Sequence, residues 1–253
     1  DITEYTQPAM VTASIAMMKV FMERTGIKPD VAAGLSLGEY PAMVAAGVMS
    51  TEDAIRTVRQ RGILMQEAVP AGVGAMSAVL AMDAEKIEEV IADISGVQIA
   101  NYNCPGQIVI SGKKEAVEEA AEKLKAAGAK RVLPLNVSGP FHSYLLEEAG
   151  EKLYGVLKEV EVHTPVIPYV ANVTAEYVTD SREVKTLLKK QVSSSVRWEQ
   201  SIRKMLEDGV DTFIEIGPGR TLTGFMKKID RNVKAMNIEK LEDIEKVKEA
   251  LGC

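Results

Sequence analysis

Ser36 lies between two glycines in Gly34-Leu35-Ser36-Leu37-Gly38. That spacing suits a sharp strand-to-helix turn that lifts a serine hydroxyl to the surface as a nucleophile. The competing reading is a tight turn whose serine caps the following helix. A hydroxyl is a poor nucleophile at neutral pH unless a base takes its proton, and imidazole is the usual one. The chain has two histidines. His142 sits in Ser138-Gly139-Pro140-Phe141-His142-Ser143, on a Gly-Pro turn between two parts of the chain, where a cleft would form. His163, in Val162-His163-Thr164-Pro165, reads as a solvated loop residue, so His142 is the favoured base. No Asp or Glu follows the serine in the position a Ser-Asp-His hydrolase would use, which leaves room for a main-chain carbonyl as the third member.

Arg56, Arg59 and Arg61 follow closely on the next helix. One guanidinium in a closed cleft would select a substrate with a free carboxylate by bidentate pairing. A solvated face is the better expectation for Arg56 and Arg59, and for the pairs Lys113-Lys114, Lys189-Lys190 and Lys227-Lys228. The lysine pairs would also suit an acidic partner.

These residues need elements to hold them. Apolar positions Ala9, Met10, Ala13, Ala16, Met17, Val20 and Phe21 recur at three and four residue steps and predict a helix over 6–25, with Pro8 in its first turn and Gly26 after its end. A buried strand is expected at 29–33, feeding the Gly34–Gly38 turn, then helices through Ala42 to Gly47 and over 51–69. From Gly72 the order becomes strand 75–81, helix 83–94, strands 98–103 and 107–111, helix 114–127 and strand 130–136. This is the βαββαβ order of a split, ferredoxin-like unit, with Pro105-Gly106 as its hairpin. A helix near 143–158, a strand at 169–172, helices at 184–191 and 200–206, a strand at 212–216, a Gly217-Pro218-Gly219 turn and two more helices complete the pattern. The expected architecture is α/β, with a large unit of residues 1–71 and 137–253 and a smaller one of residues 72–136 inserted into it.

The chain has 253 residues, 46% of them hydrophobic, enough for a sizeable core. Thirty Lys and Arg against 36 Asp and Glu give a net charge of −6, which argues against a protein held to nucleic acid by phosphate neutralisation. Cys104 and Cys253 cannot form a disulfide framework, no paired Cys/His spacing suggests a zinc site, and a reducing compartment is expected. No apolar run reaches the ~18 residues of a membrane span. The chain opens at Asp1 in mid-pattern, so a preceding segment is expected.

Five segments occur in one order: Gly34-Leu35-Ser36-Leu37-Gly38-Glu39-Tyr40, Arg61-Gly62 followed by Met65-Gln66, Asn101-Tyr102-Asn103-Cys104-Pro105-Gly106-Gln107, Gly139-Pro140-Phe141-His142-Ser143 and Glu215-Ile216-Gly217-Pro218-Gly219. Together, over essentially all 253 residues, they closely resemble the malonyl-CoA:acyl-carrier-protein transacylase family of fatty acid synthesis. The resemblance implies an α/β-hydrolase-like large subdomain with a ferredoxin-like small one, in a cytoplasmic and commonly monomeric enzyme with no bound cofactor, no metal and no nucleic acid or membrane partner. It implies a ping-pong transfer in which Ser36 takes the malonyl group from coenzyme A, His142 moves the proton, and the phosphopantetheine thiol of acyl carrier protein receives the acyl group. By the same resemblance Arg61 holds the malonyl carboxylate, the main-chain carbonyl of Gln191 orients His142, the Leu37 N–H is one oxyanion donor, and Asn101 lies near the acyl or pantetheine path. Phe141 before the histidine fits malonyl-selecting members.

The sequence departs from the family in two ways. Leu35 stands where histidine is commoner, a change that removes no catalytic atom. The Gly-Gln-Gly-x-Gln loop that usually supplies a second oxyanion donor, on a strand upstream of Thr6-Gln7-Pro8-Ala9, is not in the sequence, and a fragment of a longer protein is the expectation. The alternatives are a polyketide acyltransferase, a GxSxG thioesterase or esterase, and an inactive carrier-protein docking module.

Overall fold

The computed structural model describes residues 3–252. Helix α1 (Thr3–Thr25) leads to β1 (Ala32–Ala33), a 3-10 turn (Ser36–Gly38), α2 (Glu39–Ala45) and α3 (Thr51–Glu67). Then come β2 (Gly74–Leu80), α4 (Ala84–Ile91), β3 (Val97–Cys104), β4 (Gln107–Lys113), α5 (Lys114–Ala126) and β5 (Arg131–Pro134). A second 3-10 turn (Tyr144–Leu146) precedes α6 (Glu147–Lys158), β6 (Tyr169–Val170), β7 (Tyr177–Val178), α7 (Ser181–Gln191) and α8 (Trp198–Glu207). The chain closes with β8 (Thr212–Ile216), α9 (Thr221–Ile229), β9 (Lys234–Ile238) and α10 (Leu241–Leu251).

Strands β2 to β5 form one antiparallel sheet in the order β3-β4-β2-β5, the arrangement a split βαββαβ unit requires. Helices α4 and α5 cover one face. Ile87 and Ile91 on α4, and Ala116, Val117, Ala120 and Leu124 on α5, recur at helical spacing and pack on Val79, Ile99, Ile108, Ile110 and Val132. Each large side chain so buried contributes roughly 1.5–3 kcal/mol.

The larger part is held by a core in which Val11 and Ile15 of α1, Val58 and Met65 of α3, Leu153 and Leu157 of α6, and Val184 and Leu188 of α7 meet around Tyr40, Met43 and Tyr169. Its strands fall into two sheets, β1-β6-β7 and the parallel pair β8-β9. Among the described residues neither β1 nor β8 has a strand on its other edge. A cavity of about 1180 Å³ separates these edges, lined by apolar groups including Val31, Phe213, Ile214, Leu222 and Met236.

The expected elements need adjusting where tertiary pairing sets their length. The strands expected at 29–33 and 169–172 shrink to the two pairs Ala32↔Tyr169 and Ala33↔Val170, because only there do the chains run close enough to bond. Helix α1 begins at Thr3, so Pro8 lies inside it rather than in its first turn. The helix expected from Ser143 opens as a 3-10 turn, and α4 ends at Ile91, three residues before Ile94. Strands β7 and β9 were not expected. Cys104 is a buried free thiol, and Cys253 lies outside the described residues. Among the described residues no helix is long and apolar enough to cross a membrane, and no group of three or more His, Cys, Asp or Glu could hold a metal ion.

Candidate active site

The turn after β1 explains the first glycine of the serine motif. A Cβ on Gly34 would lie 1.8 Å from the Gly38 carbonyl oxygen, so the backbone closes on itself only with no side chain there. Ser36 then sits at φ 52°, a left-handed conformation that costs a non-glycine residue of order 1–3 kcal/mol and turns its hydroxyl outward from the bend. His142, on the loop leaving β5, also has a positive φ, 56°. Hydrogen bonds fix that loop: Ser143 Oγ donates to the Pro140 carbonyl at 2.6 Å, and Gln98 Nε2 of β3 donates to the His142 carbonyl at 3.2 Å.

The two strained residues meet. Ser36 Oγ is 2.7 Å from His142 Nε2, and His142 Nδ1 is 2.8 Å from the Gln191 carbonyl oxygen. A carbonyl only accepts, so Nδ1 carries the proton and Nε2 keeps its lone pair toward the serine hydroxyl. Gln191 is the last residue of α7, and the final carbonyls of a helix have no intrahelical partner, so this one is available to the imidazole. His142 is almost wholly buried; burial and the Arg61 charge pull its pKa down from 6.5 to about 4, against the bond to Gln191, which raises it. Near pH 7 the imidazole is therefore neutral and able to take a proton.

Arg61 reaches this pair from α3. The buried positions of that helix are Ala54, Thr57, Val58, Arg61, Gly62 and Met65, so the helical period places Arg61 on the core stripe, only 1% exposed. Arg56 and Arg59 lie off that stripe and pair with Glu52 and Glu4. Arg61 Nη1 donates to Gln7 Oε1 at 2.8 Å, and Nη2 donates to Ser36 Oγ at 3.0 Å and to Gln191 Oε1 at 3.2 Å, while its guanidinium lies 5.9 Å from the Tyr40 ring centroid. Burial lowers its pKa, but a guanidinium keeps its charge at neutral pH. A buried cation three ångströms from a nucleophilic oxygen suits an anionic acyl group attached to that oxygen.

Leu37 follows the serine in the 3-10 turn, where the first N–H groups have no partner within the turn. Asn101, on β3, is buried beside the elbow, bridges Val196 and lines the large cavity; its described bonds do not reach Ser36, His142 or Arg61. His163 is exposed near Glu161, as its sequence context suggests.

Three contributors escaped the sequence reading. Asn172 accepts from the Ser36 N–H at 2.6 Å and donates to the Gly34 carbonyl at 2.7 Å, clamping the elbow from both sides. Gln98 secures the histidine loop. Gln7 carries a usable signal: it is polar yet shares the helical stripe of Val11 and Ile15.

Comparison with known proteins gives the family. Residues 1–247 match the model of a family described as acyl transferase domain. A malonyl CoA-acyl carrier protein transacylase from Bacillus subtilis (strain 168) is 50% identical over 248 residues, covering 96% of this chain and 78% of the relative. The crystal structure of an acyl carrier protein S-malonyltransferase from Vibrio cholerae O1 biovar eltor superposes with a TM-score of 0.95 at 43% identity, over 98% of this chain and 82% of that one. A malonyl-transacylase solved in complex with its type II PKS acyl-carrier protein gives 0.95 at 42% identity, again over 98% and 82%.

Proposed function

The chain belongs to the acyl transferase domain family, and from that membership we propose that Ser36 and His142 carry its reaction as a nucleophile and base pair. The enzyme transfers the malonyl group of malonyl-CoA to acyl carrier protein, supplying fatty acid chain elongation. Neither a polyketide acyltransferase nor a docking fragment is favoured by the relatives' names. One observation supports the assignment above the others: Ser36 Oγ lies 2.7 Å from an imidazole nitrogen whose partner nitrogen is committed to a carbonyl.

The steps follow from that geometry. As Ser36 Oγ attacks the thioester carbonyl, its proton passes to His142 Nε2, and negative charge develops on the carbonyl oxygen, toward which the Leu37 N–H would donate. The C–S bond then breaks, the departing sulfur takes the proton back from Nε2, and coenzyme A leaves a malonyl-Ser36 ester. The phosphopantetheine thiol of the carrier repeats the sequence in reverse: its proton goes to His142, its sulfur attacks the ester, and Ser36 recovers its hydrogen. The malonyl carboxylate stands one methylene from the ester carbonyl and pairs with Arg61, which holds the ester for the incoming thiol rather than for water. Asn101 belongs to the proposal as a residue beside the acyl or pantetheine path, and Gln191 as the group orienting His142.

Both substrates bring their own thioester or thiol, and the proposal needs no further cofactor. It places residues 72–136 as the small subdomain, takes the monomer as the active unit, since every named group comes from one chain, and places the reaction in the cytoplasm. The test is transfer from malonyl-CoA to phosphopantetheinylated acyl carrier protein, followed by the mass of the carrier. Loss of transfer in both Ser36→Ala and His142→Ala is expected. Undiminished transfer by either folded variant would refute the assignment.

A further inference from the structure

Glu39, the residue after the motif's second glycine, is a wholly buried carboxylate that the steps above do not use. Its Oε2 accepts from Gln191 Nε2 at 2.7 Å and from the Asn172 backbone N–H at 3.1 Å. Each partner leads to one half of the reacting pair. Gln191 presents its carbonyl to His142 Nδ1, and its Nε2 also donates to the Ser36 carbonyl at 3.0 Å. Asn172 holds the Ser36 N–H and the Gly34 carbonyl.

We propose that Glu39 is a positioning residue for the transfer reaction, fixing the imidazole of His142 through Gln191 and the elbow that presents Ser36 through Asn172. The inference rests on the reading of Ser36 and His142 as nucleophile and base. Glu39 Oε2 already accepts from two N–H groups, and it turns the Gln191 amide so that Nε2 faces it, which leaves Oε1 facing the Arg61 guanidinium at 3.2 Å. One group thus sets the orientation of the side chain that lies among base, nucleophile and cation. Glu39 also lies close enough to the buried Arg61 for that cation to favour its ionised form. Burial pushes its pKa up to about 7, while Gln191, Asn172 and Arg61 pull it down. An apolar side chain in its place would leave the Asn172 N–H without its acceptor, at a cost of roughly 1–3 kcal/mol.

The test compares the intact chain with Glu39→Gln, which keeps the volume and one accepting oxygen, and Glu39→Ala, which keeps neither. Three readouts are taken: thermal unfolding, the rapid-quench rate of malonyl-ester formation on Ser36, and the downfield proton resonance of His142 Nδ1–H. That resonance is traceable because the only other histidine, His163, is exposed. Folded Glu39→Ala is expected to lose the resonance and slow about 10²-fold in acylation with little change in KM, the scale of an ångström of misplacement, and Glu39→Gln is expected to recover both. A folded Glu39→Ala that keeps rate and resonance would overturn the proposal. If the alanine variant does not fold, Glu39→Gln decides: a folded form without resonance and rate overturns it as well. A wild-type chain that forms no ester on Ser36 would refute the transfer reading instead, and the resonance alone would then decide on Glu39.

Discussion

Burial determines what His142 can do. With its pKa held near 4, below the 6.5 of free imidazole, the base is unprotonated across the neutral range. The acid limb of kcat/KM for malonyl-CoA is therefore expected at about pH 4, with a plateau above pH 5, because that limb reports the free enzyme's essential base. A limb near 6.5 would mean a solvated histidine. Arg61 calls for a substrate comparison. Its cation lies 3.0 Å from the acyl-bearing oxygen and suits only an acyl group with a carboxylate, so Arg61→Ala should shift preference from malonyl-CoA toward acetyl-CoA. Equal losses with both donors would show that Arg61 supports the fold rather than the carboxylate. The residues that form motifs, Ser36 and His142, are readable in the sequence because local backbone needs surround them with glycine and proline. Asn172 and Glu39 are not, since their bonds to the elbow and to Gln191 join residues 136 and 152 positions apart, a separation no local pattern encodes.

Helices and turns convert those residues into a site. The stripe on α3 carries Arg61 inward, and the end of α7 leaves the Gln191 carbonyl free; both follow from the helical period and the unsatisfied end of a helix. The elbow is stricter. At Gly34 an added methyl collides with the Gly38 carbonyl, whereas at Gly38 it meets open space within 4 Å. Gly34→Ala is expected to lower stability by about 1–3 kcal/mol or more and to abolish serine acylation, with Gly38→Ala close to wild type in urea melts. Similar melts for the two would contradict this division of labour within one motif. The small sheet was legible almost strand for strand, because β2, β3 and β4 are long and their joints hold Pro105-Gly106, Gly112 and Gly128. Strand β9 was not: Lys234-Ala235-Met236-Asn237-Ile238 has little alternation, and its parallel register on β8, Thr212↔Lys234 to Ile216↔Ile238, defines it.

Across the whole molecule, the larger unit keeps the α/β architecture expected of it, with its described strands in two groups, β1-β6-β7 and β8-β9. The facing edges of β1 and β8 bound a cavity of about 1180 Å³ lined largely by apolar side chains. The sequence could announce strands 29–33 and 212–216 but not their separation, which depends on what pairs with each edge. Both parts still deliver Ser36, His142, Arg61 and Gln191 to one point, and whether that point forms a covalent ester is the central question. The most direct measurement is the intact mass of the chain after brief mixing with malonyl-CoA, followed by digestion to locate any adduct. A malonyl-sized increment on the peptide containing Ser36, absent from Ser36→Ala, is predicted. A folded wild-type chain with no increment, or an increment that persists in Ser36→Ala, would contradict the account.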